Sequence, residues 1–179
     1  MEFSAKINHP KLVELYHYWL SKRGDRRMPS RADIEPMELR SLLPNIILMD
    51  VLEPGKAYRY RLVGTAVEEA IGISLTGKLL SEVATGRLFD FVSHIFHDVS
   101  VLRTICYFES NFGFKEDFSV MYRRLLMPLS TDGSNVDMML GALIPEWTKA
   151  YRYAYFELKE KLHVSEEHSV NKLPLLASA

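Results

Sequence analysis

Two stretches of this chain each fold back on themselves, and a helical segment separates them. Residues 45–77, NIILMDVLEPGKAYRYRLVGTAVEEAIGISLTG, hold two runs of strand length around a Pro54-Gly55 turn. Proline pre-sets φ there and glycine supplies the positive φ that a tight turn needs. Much later, SVMYRRLLMPLS and VDMMLGALI flank Thr131–Asn135, whose Asp132-Gly133 pair is the strongest short-range hairpin signal in the sequence. Antiparallel pairs that are not adjacent in sequence, with helices between, predict one curved sheet closed over by those helices. The expected class is α+β.

The remaining elements fit around that frame. Leu12, Leu15, Tyr16 and Trp19 share a helical face, widened by Val13 and Leu20. Pro10 suits a first turn and Gly24 a stop, so a helix is expected over 10–23. The polar stretch KRGDRRMPSRADIEP reads as a loop, and a short helix is expected from Asp33 or Glu35 through Leu43. Asn45–Leu52 and Ala57–Val63 are the first two strands; strict alternation puts Tyr58, Tyr60 and Leu62 on one face, Arg59 and Arg61 on the other. Thr65 with Glu68 resembles a capping box for a small helix ending at Gly72. Over 87–104 the spacing predicts a longer helix, its buried stripe formed by Leu88, Phe91, Val92, Ile95, Val99 and Leu102. Ile105–Phe112 is strand-like, the aromatic run after Trp147 suits either strand or helix, and the last residues read as a tail.

Composition excludes several classes. The 179 residues suffice for one domain with a sizeable core. Lys and Arg number 22 against 23 Asp and Glu, so no global field draws the chain to nucleic acid or an acidic membrane. The only local basic cluster, Lys22, Arg23, Arg26, Arg27 and Arg31, is interrupted by Asp25, Asp33 and Glu35, which favours tethering of the loop. One cysteine, Cys106, rules out an internal disulfide. With no secretion-type leader and no apolar run of about 20 residues, a cytoplasmic chain is expected.

Catalytic signatures are absent: no glycine-rich phosphate loop, nucleophile elbow or His/Cys metal spacing occurs. His94 and His97 fall opposite the apolar stripe, beside Asp90 and Asp98, as solvated surface residues, so no metal is expected. Either arginine of the pairs Arg59/Arg61 and Arg123/Arg124 could face inward and select an anionic ligand; the competing reading is a sheet face covered by the N-terminal helix. Asp50 is the one acidic strand residue near an inward position.

The strings RRMPSRADIEP, LRSLLPNIILMDV, YRYRLVGT, ISLTGKLLSEV and YRRLLMPLS, in this order, resemble the PAS domain, and specifically a bacterial subfamily that usually occurs as a stand-alone domain. The similarity runs from about Trp19 to about Pro145. It implies a five-stranded antiparallel sheet holding a small pocket against the middle helices, with an N-terminal helix outside. The expected organisation is a flanking helix and loop over 1–44, the core over 45–147 and an extension over 148–179. The resemblance also implies signalling or regulation, with PAS domains binding haem, flavins, small metabolites or nothing. Cys106 lacks the Asn-Cys-Arg-Phe context of flavin adducts, so no cofactor is expected. The pocket is expected to be lined by Leu62, Val67, Ile71, Ile73, Leu80, Phe91, Ile95 and Leu140. The helix bearing Leu12, Val13, Leu15, Tyr16, Trp19 and Leu20 is expected to support a homodimer or another protein contact. The leading reading is a sensor or interaction module, tuned by a small ligand. The alternatives are an isomerase- or hydratase-type enzyme using the same cavity, and an adaptor with a filled core.

Overall fold

The computed structural model describes residues 2–115, 118–146 and 165–175. Among these, a six-stranded antiparallel sheet carries helices on both faces. Helix α1 (Pro10–Arg23) begins at proline and stops at Gly24, whose φ of 55° few other residues tolerate. Strands β1 (Ile46–Glu53) and β2 (Ala57–Val63) form the first hairpin, with Gly55 at φ 77°. Short helices α2 (Thr65–Ile71) and α3 (Leu80–Val83) and the longer α4 (Gly86–Ser100) follow. Strands β3 (Thr104–Lys115), β4 (Phe118–Leu129), β5 (Met138–Glu146) and β6 (Ser165–Pro174) complete the chain. The sheet order is β2-β1-β5-β4-β3-β6, so the early hairpin joins the late strands through β1 and β5.

The two faces have different tenants. Residues directly opposite across an antiparallel ladder point the same way, so the rows Ile47–Gly141–Leu126 and Leu143–Arg124–Phe108 belong to one face. The helices α2 to α4 cover it. The other face carries Leu48, Leu140 and Met127, and α1 docks there. Leu12, Leu15, Tyr16 and Trp19 are all buried, and the Trp19 indole donates to the Pro128 carbonyl at 3.0 Å. A buried indole N–H without that acceptor would be costly, so the bond fixes the seat of α1 on β4. The amide of Asn8 donates to the Tyr107 hydroxyl and extends the same docking to β3.

Several expectations are corrected. The helix expected through Leu43 is instead a pair of 3₁₀ turns, Pro36–Leu39 and Leu43–Asn45, after an earlier one at Arg31–Asp33. Helix α2 is capped by Gly64, not Thr65, and Glu68 reaches forward rather than back: it accepts from the amides of Leu75 and Thr76. These two bonds hold its carboxyl below the ordinary carboxylate range. Helix α4 ends at Ser100, leaving Leu102 56% exposed, while Phe96, outside the expected stripe, is buried. Asp98 is buried too, not solvated, and is met by the Lys172 ammonium. That lysine belongs to β6, which pairs with β3 from Gly113↔Ser165 to Thr104↔Pro174. The expected tail is therefore partly a sixth strand, where five were expected. The aromatic run after Trp147 lies outside the described residues.

Candidate ligand cavity

A cavity of about 100 Å³ lies between the sheet and the helices α2 to α4. Its sheet wall is Ile47, Tyr60, Phe108, Arg124, Leu126 and Leu143, with Ala142 also at its edge. Gly141 lies between Ile47 and Leu126, where a Cβ would come within 2.4 Å of the Leu125 carbonyl oxygen. Its helical wall is Leu88, Val92 and Phe96, spaced four apart on α4, together with Ile71, Leu75, Leu80, Val83 and Ala84. Spacing by four places three side chains on one helical stripe, which is how α4 presents a continuous apolar surface to the sheet.

Two groups break the apolar lining. Tyr60 is buried, and burial pushes its phenol up to about 12 while Arg124 pulls weakly the other way. The phenol therefore stays protonated at any ordinary pH. The Arg124 guanidinium donates to the Ser110 hydroxyl at 3.2 Å and stands 5.5 Å over the Phe108 ring and 5.2 Å over that of Tyr122. Tyr122 is itself anchored through its hydroxyl on the Ala70 carbonyl, 3.2 Å away. Aromatic faces carry negative charge density and attract a cation. No acidic residue and no histidine is among the described wall residues.

The expected lining residues separate into three groups. Ile71 and Leu80 reach the wall. Phe91 touches Phe108 edge-on at 5.9 Å just outside it, and Val67 and Ile95 are buried in the neighbouring core. Leu140 is buried on the α1 face, and Leu62 and Ile73 are 47% and 37% exposed. The misplacement of Leu62 has a physical cause. The β1–β2 register shifts between Leu48 and Met49, so Met49 faces Tyr60 while Leu48 faces Leu62. One extra residue in β2 breaks the alternation and turns Leu62 to the opposite face from Tyr60.

The arginines divide along the same lines. Arg59 and Arg61 lie on the outer face, both on the Asp50 carboxylate at 2.8 and 3.3 Å. Asp50 is thereby kept away from the cavity. Arg123 points outward to Glu109 at 3.0 Å and to Glu146, while Arg124 points inward. In the basic loop Arg26 pairs with Asp33 at 2.9 Å and Lys22 with Glu38 at 2.6 Å, both within the segment itself, while Arg27 donates to the Leu175 carbonyl just past β6 at 3.2 Å. His94 is exposed, with its Nε2 3.8 Å from Asp98, and His97 lies half-buried against the Gly55 turn. No three metal-binding side chains converge among the described residues. Cys106 is buried on β3, and desolvation pushes its thiol up to about 12, so it is no nucleophile. On α1, only Val13 and Leu20 of the expected contact residues remain half-buried.

A family model for the PAS domain matches residues 7–144. The chain belongs to the PAS domain family. Solved structures similar to this PAS domain include the PAS domain of Bordetella pertussis BvgS, at 17% identity and a TM-score of 0.41, covering 83% of this chain and 98% of that one. A light-oxygen-voltage domain studied with a flavin analogue matches at 16% identity and a TM-score of 0.38, covering 69% and 92%. The light-state structure of the blue-light photoreceptor Aureochrome1 LOV matches at 11% and 0.37, covering 69% and 96%. A search of curated proteins found no match. PAS domains are signal-sensing modules and generally not enzymes. No helix among the described residues is long and apolar enough to cross a membrane.

Proposed function

We propose that this PAS domain is a sensory module, in a bacterial cytoplasmic regulatory pathway, whose signal is the occupancy of the cavity by a small molecule and whose output is protein contact. The observation that carries this reading is the cavity itself: a mostly apolar space of about 100 Å³ between the sheet and the helices α2 to α4. Ligand sites are concave, mostly apolar and fitted with a few polar groups, and here Tyr60 and Arg124 are those groups. An enzyme in the same cavity would need a general base, and no carboxylate or imidazole is among the described wall residues. A purely structural adaptor would have no use for the space. For the output, α1 offers Val13 and Leu20 to a second copy of the chain.

The test is hydrogen exchange on the purified protein with and without a compound found by thermal-shift screening of small metabolites. Occupancy is expected to slow exchange in α3 and α4 and also to alter it in α1 on the opposite face. Binding that leaves every surface element unchanged would contradict a sensing role.

A further inference from the structure

Size and an unsatisfied hydroxyl limit what the cavity can hold, given the reading above that it is a ligand site. An apolar cavity of about 150 Å³ takes benzene, with six heavy atoms. One of about 100 Å³ suits roughly four to six. Flavins, haem and nucleotides are all far too large for it.

Tyr60 lines the wall and is only 9% exposed, yet its hydroxyl makes no hydrogen bond among the described residues. Other buried tyrosines of the sheet differ: Tyr58 bonds to Ser100, Tyr107 to Glu109 and Tyr122 to the Ala70 carbonyl. Buried donors are seldom left without an acceptor, because the hydration they lose is then not replaced. The phenol keeps its proton, so it is a donor at any ordinary pH. Its backbone is pinned on both sides. The Tyr60 amide donates to the Lys78 carbonyl at 2.9 Å, and the Gly77 amide donates to the Tyr60 carbonyl at 2.6 Å. The same segment brings Leu75 and Leu80 to the wall.

Arg124, the other polar wall residue, is already engaged by Ser110, Phe108 and Tyr122. An anion would surrender its hydration on entering a mostly apolar space. The remaining described wall side chains are aliphatic or aromatic. A guest with an amide NH₂ would bury donors for which those side chains offer no acceptor, whereas a carbonyl oxygen accepts and donates nothing.

We propose that the cavity binds a small neutral ketone or aldehyde of roughly four to six heavy atoms, its carbonyl oxygen accepting from the Tyr60 hydroxyl and its alkyl groups lying against the stripe Leu88, Val92 and Phe96. Binding is non-covalent and moves no proton.

Methyl NMR titration of the intact protein in sealed tubes compares butan-2-one with guests of the same shape: propanamide, propanoate and 2-methylbut-1-ene. Butan-2-one is expected to bind about tenfold or more tightly than the amide or the acid anion, which bury unpaired donors or a charge. Tyr60→Phe is expected to weaken the ketone about fivefold, the worth of one neutral hydrogen bond, and to leave the alkene no weaker. Val92→Phe, which fills the space, is expected to abolish binding of all of them. If propanoate or propanamide binds as well as the ketone, or only the alkene binds, the carbonyl specificity is wrong and the ligand cavity stands. The same holds if Tyr60→Phe leaves the ketone unaffected. If none binds wild type, or if binding survives Val92→Phe, the carbonyl proposal and the ligand-cavity reading both fall. Should Tyr60→Phe not fold, the infrared carbonyl stretch of butan-2-one bound to wild type decides. A stretch below its position in alkane supports the hydrogen bond, and one at that position overturns it.

Discussion

Replacing Val92 with a larger and a smaller residue gives a test of sign. Val92 lies at the centre of the α4 stripe that faces the cavity, between Leu88 and Phe96. Val92→Leu adds one methylene, which contributes about 0.8 kcal/mol if it finds apolar space. Loss of the β-branch adds a few tenths more through helix propensity. The expected gain is about 1 kcal/mol, or roughly 2–4 °C in Tm for a domain of this size. In a filled core the same change would overpack and cost about 1–3 kcal/mol. Val92→Ala should cost about 1.5 kcal/mol through the two methyl groups lost. Calorimetric melts of wild type and both variants therefore should rank Leu above Val above Ala. A Val92→Leu protein that melts several degrees below wild type would refute the claim that the space is open.

Three further outcomes are expected. Tyr60 keeps its proton in the folded state up to about 12 against an ordinary 10, so its contribution is intact below pH 10 and is lost as pH rises toward 12. Cys106 acts in the same direction from 9 to about 12, and each group contributes up to about 1.4 kcal/mol of lost stability per pH unit in its window. Urea unfolding across pH 8–11 is expected to show a shallower alkaline decline for Tyr60→Phe; an unchanged slope would contradict its burial. Freshly purified protein is expected to show no haem or flavin absorbance, because about 100 Å³ holds neither group, and a coloured preparation would refute that. Finally, light scattering is expected to give a weak dimer for wild type and a monomer for Val13→Glu with Leu20→Glu; a monomeric wild type or a dimeric double variant would remove α1 as the contact.

The order of elements was legible because each carries its own local chemistry: Pro10 and Gly24 bound α1, Pro54-Gly55 and Asp132-Gly133 mark hairpins, and the four residues of the expected α1 stripe, Leu12, Leu15, Tyr16 and Trp19, are the four that are buried. The cavity was less legible, because it depends on register between distant strands. Ile47, Gly141 and Leu126 become one row only when β1, β5 and β4 align, and nothing local in those residues specifies this. Leu62 failed for a related reason, a bulge that alternation cannot foresee. Arg124 was singled out as one of two candidate inward arginines in its pair, and the pairing to Phe108 decides between them. The Leu88-Val92-Phe96 spacing was readable, since α4 could have been phased on it. Asp98 and β6 were not readable, because a buried carboxylate and its lysine 74 residues away are joined only by folding.

A ligand cavity must be open and must take a small guest, whatever the guest's charge. Methyl NMR of the protein under xenon pressure addresses it most directly, since xenon enters apolar cavities and needs no polar partner. Saturable shifts are expected at the methyls of Ile47, Ile71, Leu80, Val92 and Leu126, with Leu62, Leu102 and Val170 unmoved. Absent shifts at those wall methyls, or shifts confined to the exposed ones, would contradict it.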